Sequence, residues 1–565
     1  MTRIRHVSIK NFRSIKDLSW FPGPGLNCLI GPGDGGKSTV LDAIDLCLSG
    51  RRTATFTDAD FHGLDVSQPI AIEITVGALP DRLKSMETYG NYLRNFDAAA
   101  LRIDDEPEAS GETVLTLSLT VTADLEPNWT LVSDRAPTDT QKLLSWSDRN
   151  SIAPTRLGSN GGQHLGWRRG SVLNRLSEEK ADTSAALASA ARLARQTFGD
   201  HAEKQLGATL TKVAEAARAL GVPAGEDLRA LLDAHSVSVG TGTVTLHDKA
   251  GIPLDAMGTG STRLLSVGLQ RAAAESASIV IVDELEYGLE PHRIMRLLGS
   301  LGAKENPSPM QGFLTTHSPV AVRELSSAQL HVMRRRDGKY VPVALSAEAQ
   351  GTARSFPEAF LATSVIICEG ASEVGFVRGM DRFAAGTPKG SLFAAGLALI
   401  DAGGCDKIYG RALPMAGLGY RTAVFRDDDK QPDAGQEKAF TELSGTVFKW
   451  RAGKALEQEI FENVSDHAVL QLLERAVALH GEEYIADQLS SASGGEIKIE
   501  DCRAGQGTEV RDLLAGRAKS KAAWFKNVGY FEDITYDILL PDAPNWKPEF
   551  KAMVNDMAKW VRRGD

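Results

Sequence analysis

The chain has 565 residues, with 63 Lys and Arg against 73 Asp and Glu, giving a formal net charge of −10. At 42% apolar and 24% charged residues, the composition supports real cores and excludes a disordered tail, a coiled-coil rod or a collagen-like chain. The acidic balance excludes bulk positive charge as the means of holding nucleic acid, but not local basic patches, because net charge averages over faces.

In chain order, Arg3 to Lys10 alternates polar and apolar residues and predicts a strand. Leu26 to Ile30 is a short apolar strand. Val40, Leu41, Ile44 and Leu48 stand at helical spacing, and Ile70 to Val76 alternates again. From about 80 to 235 the pattern changes. A hairpin-like stretch (Thr113 to Thr122, then Trp129 to Ser133) precedes a polar segment, Gly158 to Gly162. An Ala-rich helical stretch follows from about 180 to 220. Strand–helix alternation returns between about 243 and 335, and a second alternating unit opens at Val365 to Cys368. This predicts an α/β fold with helices on the sheet faces. The expected units are 1–80 and 236–350 as two lobes of one domain, 81–235 as a mostly helical insertion, and 360–565 as a second α/β domain.

The five cysteines are far apart with no CxxC spacing, so reduced thiols and a cytoplasmic location are expected. No secretory apolar region opens the chain and no run reaches about 18 apolar residues, so no membrane association is expected.

The strongest motif is Gly31-Pro-Gly33-Asp-Gly-Gly36-Lys37-Ser38-Thr39, a full GxxxxGK[ST] loop between a strand and a helix. Glycines turn backbone N–H groups onto phosphate oxygens, and the helix N-terminus adds positive partial charge. Lys37 would reach the β- and γ-phosphates and Ser38 would offer its hydroxyl to Mg²⁺. ATP is the expected cofactor. Ser278 to Val282 then ends in Asp283-Glu284, as a Walker B strand does: Asp283 would act through the Mg²⁺ shell and Glu284 would polarise the attacking water. Alone this is also how a solvated strand cap looks; the P-loop gives it weight. Phe313 to Thr316 ends at His317, a candidate contact to the γ-phosphate.

The stretch IKNFRSIKDLSWFPGPGLNCLIGPGDGGKSTVLDAIDLCL resembles the N-terminal half of ABC-type ATPases of the SMC, Rad50 and RecF kind, and VDELEYGLEPHR resembles their Walker B and D-loop. Gly258-Thr-Gly260-Ser261-Thr-Arg263 stands where their signature motif lies, although it is not LSGGQ. The resemblance implies a homodimer at least, with ATP sandwiched between two heads. It also fits an insertion between residues 40 and 258, too short for a long coiled-coil arm and better suited to a compact dimerisation module.

Beyond residue 360 the chemistry changes. Glu369 follows an apolar strand and Glu373 stands in the next turn. Asp427-Asp428-Asp429 ends another strand, with Asp427 and Asp429 on one side of an extended chain. Glu457 and Glu459 follow. Carboxylates on several strand ends are what Mg²⁺ or Mn²⁺ requires, and two such ions about 4 Å apart support phosphodiester cleavage. Polar strand ends are also ordinary in α/β folds.

Together with Gly403-Gly404, this pattern resembles a Toprim domain, and an ABC-type ATPase followed by Toprim resembles the OLD (overcoming lysogenization defect) family of nucleases, which includes the Gabija nuclease subunit. The resemblance implies an ATP-regulated DNA endonuclease in anti-phage defence, using Mg²⁺, Mn²⁺ or Ca²⁺ at Glu369, Glu373, Asp427, Asp429 and Glu457. Glu373 stands where the family more often has aspartate, and Glu459 rivals Glu457. A lysine that stabilises charge at the scissile phosphate would be Lys526 or Lys521. DNA is the expected substrate, and a helicase or other defence-system partner is an open expectation. The alternative is an ATPase sensor or DNA-loading clamp whose Toprim module recruits a partner.

Lys519 to Lys526, with Arg517 before it, reads either as a DNA-backbone contact with Trp524 and Phe525 beside it, or as a helix face with both rings packed inward. Trp167-Arg168-Arg169 is a smaller basic patch. Residues 360–565 hold 25 Lys and Arg and 31 Asp and Glu, a net −6. Part of that acidity sits in the clusters assigned to metal, which would reverse the local potential when bound.

Overall fold

A computed structural model describes residues 2–562 apart from 34, 51–52, 109–110, 138–140, 158–164, 166–170, 172, 174–182, 220–227, 229, 231–244, 273–277, 337–338, 506 and 521–523. The segment Gly158 to Gly162, the patch Trp167-Arg168-Arg169 and Lys521 therefore lie outside the described residues.

Among the described residues, seventeen strands form two sheets. The first holds β1 (Arg3–Phe12), β2 (Ile15–Trp20), β3 (Leu26–Ile30), β4 (Ile70–Gly77), β5 (Leu93–Asp97), β6 (Arg102–Asp104), β7 (Glu112–Val121), β8 (Pro127–Val132), β9 (Thr155–Leu157), β10 (Ile279–Val282), β11 (Gln311–Thr315), β12 (Leu330–Arg336) and β13 (Lys339–Ala344). Its order is β6-β5-β7-β4-β1-β2-β13-β12-β3-β11-β10-β9, with β8 on β7. The segment β12-β3-β11-β10-β9 is parallel. Its central strands β3, β10 and β11 are buried at every position, as expected of strands covered on both faces. Strands β1, β4, β5, β6 and β7 form an antiparallel wing.

Strands of this wing arise within the segment expected as a mostly helical insertion, the hairpin-like stretch among them. Residues 93–132, assigned to a helical insertion over 81–235, supply four strands to the first sheet, and β9 adds another against β10. The Ala-rich stretch is one 37-residue helix, Thr183–Ala219, about 55 Å long at 1.5 Å per residue. That is longer than a compact module requires.

The second sheet is β15 (Leu397–Asp401), β14 (Ser364–Cys368), β16 (Arg421–Arg426) and β17 (Thr446–Lys449) in that order, all parallel. Helices Ala371–Ala385, Cys405–Gly417 and Leu456–Asn463 follow β14, β15 and β17. One buried apolar cluster joins the sheets: Ile30, Val332, Phe360, Met415, Tyr420 and Val424 all belong to it. Among the described residues no helix is long and apolar enough to cross a membrane.

Candidate functional site

The nucleotide loop rises from the parallel core of the first sheet. Gly31 (φ 126°) and Gly36 (φ 75°) occupy left-handed backbone that other residues rarely adopt. A Cβ on Gly36 would also stand 3.2 Å from Ser14 Oγ, whereas Gly33 has open space around it. Helix Lys37–Leu48 begins at once, burying Val40, Leu41, Ile44 and Leu48 and turning its first N–H groups to the loop. The buried Lys37 ammonium donates to the carbonyls of Gly31 (3.2 Å) and Pro32 (2.8 Å). The Thr39 hydroxyl pairs with Ser14 at 3.1 Å.

β10 and β11 deliver the acids. Asp283 Oδ1 accepts from Ser38 Oγ at 3.0 Å and from Thr315 Oγ1 at 2.6 Å. Ser38 and Asp283 are thus joined as the Mg²⁺-holding pair of P-loop enzymes would be. Glu284 is exposed, with a left-handed φ of 47°, and its N–H donates to Thr315 Oγ1 at 2.8 Å. Such a conformation persists only when the surroundings hold it. His317 is exposed at the end of β11. Its backbone N–H (2.8 Å) and the Thr316 hydroxyl (2.6 Å) both donate to the Glu286 carboxylate.

The residues that hold this turn include Gly260 and Arg263, which the sequence placed only at the position of a signature motif, and Arg156, which it did not single out. Arg263, 1% exposed, donates to the carbonyls of Asp283 (3.1 Å), Glu284 (3.1 Å) and Tyr287 (2.6 Å). On the same helix, Thr259–Ala272, a Cβ on Gly260 would stand 2.4 Å from the Gly288 carbonyl oxygen. Arg156 on β9 pairs with Asp42 at 2.6 Å and reaches Asp283 at 3.7 Å. Arg263 follows the polar run Gly258 to Thr262, and only the fold buries it.

The second acidic group stands at the C-terminal ends of β14 and β16, where ligands collect in parallel sheets. Each carboxylate is anchored by a local donor. Glu369 accepts from the Asp427 N–H (3.1 Å), Glu373 from the Gly370 N–H (2.9 Å), Asp427 from the Leu456 N–H (2.8 Å) and Glu457 from the Ser372 hydroxyl (3.1 Å). Burial, then the charges of Asp427 and Glu457, push the Glu373 carboxyl well above the usual carboxylate range. Burial, then Glu457 and Glu369, push Asp427 up to about 8. Burial also raises Glu369, with Asp429 adding to it, and raises Glu457 against the pull of Lys526 and Lys519.

Asp429 pairs with Lys519 at 2.7 Å. Lys526 is exposed, its ammonium 3.4 Å from the Lys519 carbonyl. Lys519, read from the sequence only as part of a basic stretch, is thus the cation that holds Asp429. Glu459, the rival to Glu457, faces away: Arg451 donates to it at 2.8 Å and Asn463 at 2.8 Å. Trp524 and Phe525 are buried, with the Trp524 indole N–H donating to Gln488 at 2.8 Å. The inward-packed reading of that stretch holds, and no base can stack on these rings.

Among the described residues, no three Asp, Glu, His or Cys side chains already form a metal-ion cage. The donor chemistry nevertheless fits a hard divalent ion. Glu369, Glu373, Asp427 and Glu457 offer carboxylate oxygens, and their mutual repulsion in a buried place is what such an ion offsets.

Residues 26–323 match the family model described as "AAA domain, putative AbiEii toxin, Type IV TA system". A search of curated proteins finds no match. The chain is similar to the solved SMC head bound to the C-winged helix domain of ScpA (16% identity, 61% of this chain and 98% of that one, TM-score 0.31). It is also similar to the SMC head domain from Thermotoga maritima (12%, 61% and 99%, TM-score 0.28) and to the recombination mediator RecF with ATP (12%, 60% and 99%, TM-score 0.34). The family match spans more than half of the chain and contains the phosphate loop, Asp283 and His317, so the chain belongs to this AAA-domain family and has its ATP-binding ATPase fold.

Proposed function

We propose that the protein is an ATP-regulated, metal-dependent DNA endonuclease of the OLD kind, with a Toprim-type site beyond residue 360, acting in anti-phage defence. The observation that carries this reading is the meeting of Glu369, Glu373, Asp427 and Glu457 at the ends of two neighbouring parallel strands. A stability-driven core has no use for buried Glu373 and Glu457 beside half-buried Glu369 and Asp427, where the neighbouring charges help to push Glu373 and Asp427 up. Bound Mg²⁺ or Mn²⁺ would supply an activated water and charge stabilisation on the leaving oxygen. Glu369, Glu373, Asp427 and Glu457 would hold it. Lys519 keeps Asp429 oriented, and Lys526, exposed beside them, is offered to a phosphate. ATP at Lys37 and Ser38, in two heads of a homodimer, would set access of DNA to the acids.

Supercoiled plasmid incubated with Mg²⁺ or Mn²⁺, with and without ATP, tests the reading. Wild type is expected to nick, and an Asp427→Ala/Asp429→Ala variant to lose nicking. Equal cutting by that variant sinks the nuclease. Identical nicking with ATP, without ATP and in Lys37→Ala sinks the gating. No cutting under any condition favours an ATPase clamp that recruits a partner.

A further inference from the structure

Away from both acidic sites, a cavity of about 360 Å³ opens between the end of helix Ala371–Ala385 and helix Pro548–Arg562. Its volume lies in the range of small-molecule sites. The walls are apolar, with Phe383, Leu392, Trp546 and Val554 among them. Its charged lining residues are Lys389, Lys551 and Arg562, and no carboxylate lines it among the described residues. Arg562 donates to the Gly390 carbonyl at 3.3 Å, which neutralises none of its charge. Trp546 is 6% exposed, and among the described residues its indole N–H has no acceptor, an arrangement a buried donor rarely adopts without a partner. The segment leading into the wall at Leu540 is wound as a π-helix over Thr535–Leu539, a form that recurs at functional sites.

We infer that this cavity binds a small organic anion with an apolar body: a carboxylate or phosphate head among the three cations, with a hydrocarbon tail in the apolar floor. Apolar area alone would accept any greasy ligand; three cations without a carboxylate select an anionic one. The site lies on the helix whose first turn carries Glu373, so an occupant would press on that helix from its other end.

Calorimetric titration of the full-length protein with decanoate, decyl phosphate and decanol tests this without reference to any cutting activity. Saturable binding of at least one anion is expected. Decanol should bind about tenfold more weakly or worse, and a Lys389→Glu/Lys551→Glu variant should lose about tenfold or more for the anions. A cavity-filling Ala558→Phe variant, with unchanged circular dichroism and melting temperature, should not bind. The tighter of the two anions identifies the head group. Absence of saturable binding, equal affinity for decanol, or full affinity in both variants overturns the proposal.

Discussion

Two glutamates two residues apart on one helix have opposite fates. Glu457 is 5% exposed and faces other acids, with burial raising its carboxyl despite Lys526 and Lys519. Glu459 is 2% exposed and is held by Arg451 and Asn463. Replacing Glu457 by Gln keeps an acceptor for Ser372 and removes a buried charge. Glu457→Gln should therefore raise the midpoint of urea unfolding or leave it unchanged. Glu459→Gln strips a partner from Arg451 and should cost about 1–3 kcal/mol, allowing for the exposed Arg451 side of the pair. Equal destabilisation by both would show that the two acids share one structural role. The same logic makes Arg263 more than a helix residue. It satisfies three carbonyls of the turn that carries Asp283 and Glu284, and so fixes the acid's strained backbone.

At the scale of elements, helix Ala371–Ala385 approaches helix Val528–Ile534 through two glycines one turn apart. A Cβ on Gly375 would stand 2.6 Å from both Phe531 Cβ and the Val528 carbonyl oxygen, and one on Gly379 would stand 2.5 Å from Thr535 Cβ. Glycine inside a helix costs about 1 kcal/mol relative to alanine, so close contact is what accounts for it here. Gly375→Ala should destabilise by about 1–3 kcal/mol through overpacking. Gly410→Ala, on helix Cys405–Gly417 with nothing within 4 Å, should be neutral or stabilising by up to about 1 kcal/mol. Denaturant melts of the two variants separate a close-approach glycine from a tolerated one; identical midpoints would refute the packing argument.

On the scale of the whole molecule, the two α/β units share a core rather than a flexible linker. Arg334 on β12 stacks on Tyr420 at 3.7 Å and donates to the Leu418 carbonyl at 3.1 Å. Three residues earlier, His331 is 5% exposed and packs edge-on against Trp20. Burial lowers its pKa to about 4. Between about pH 6.5 and 4 the unfolded chain binds the proton that the folded chain refuses, so stability present above pH 6.5 is lost as pH falls. The raised carboxyls of Asp427 and Glu373 act with the opposite sign. The contribution of His331 is therefore read as a difference: His331→Phe should show a smaller fall in melting temperature from pH 7.5 to 5.0 than wild type. An unchanged fall would show that His331 does not titrate on unfolding.

What was legible in the sequence was local. The phosphate loop, the Walker B acids and the apolar strands are contiguous residues whose chemistry and periodicity need no partner to be read. The acids at the ends of β14 and β16 were visible for the same reason. The pairing of the antiparallel wing was not, because β4 and β7 join residues 39 to 51 positions apart, and such a pairing leaves no mark on either strand alone. The choice of Glu457 over Glu459, the burial of Arg263, the pairing of Lys519 with Asp429 and the cation-rimmed cavity likewise depend on which face of a helix turns inward. That is decided by packing against distant segments, and only the tertiary structure carries it.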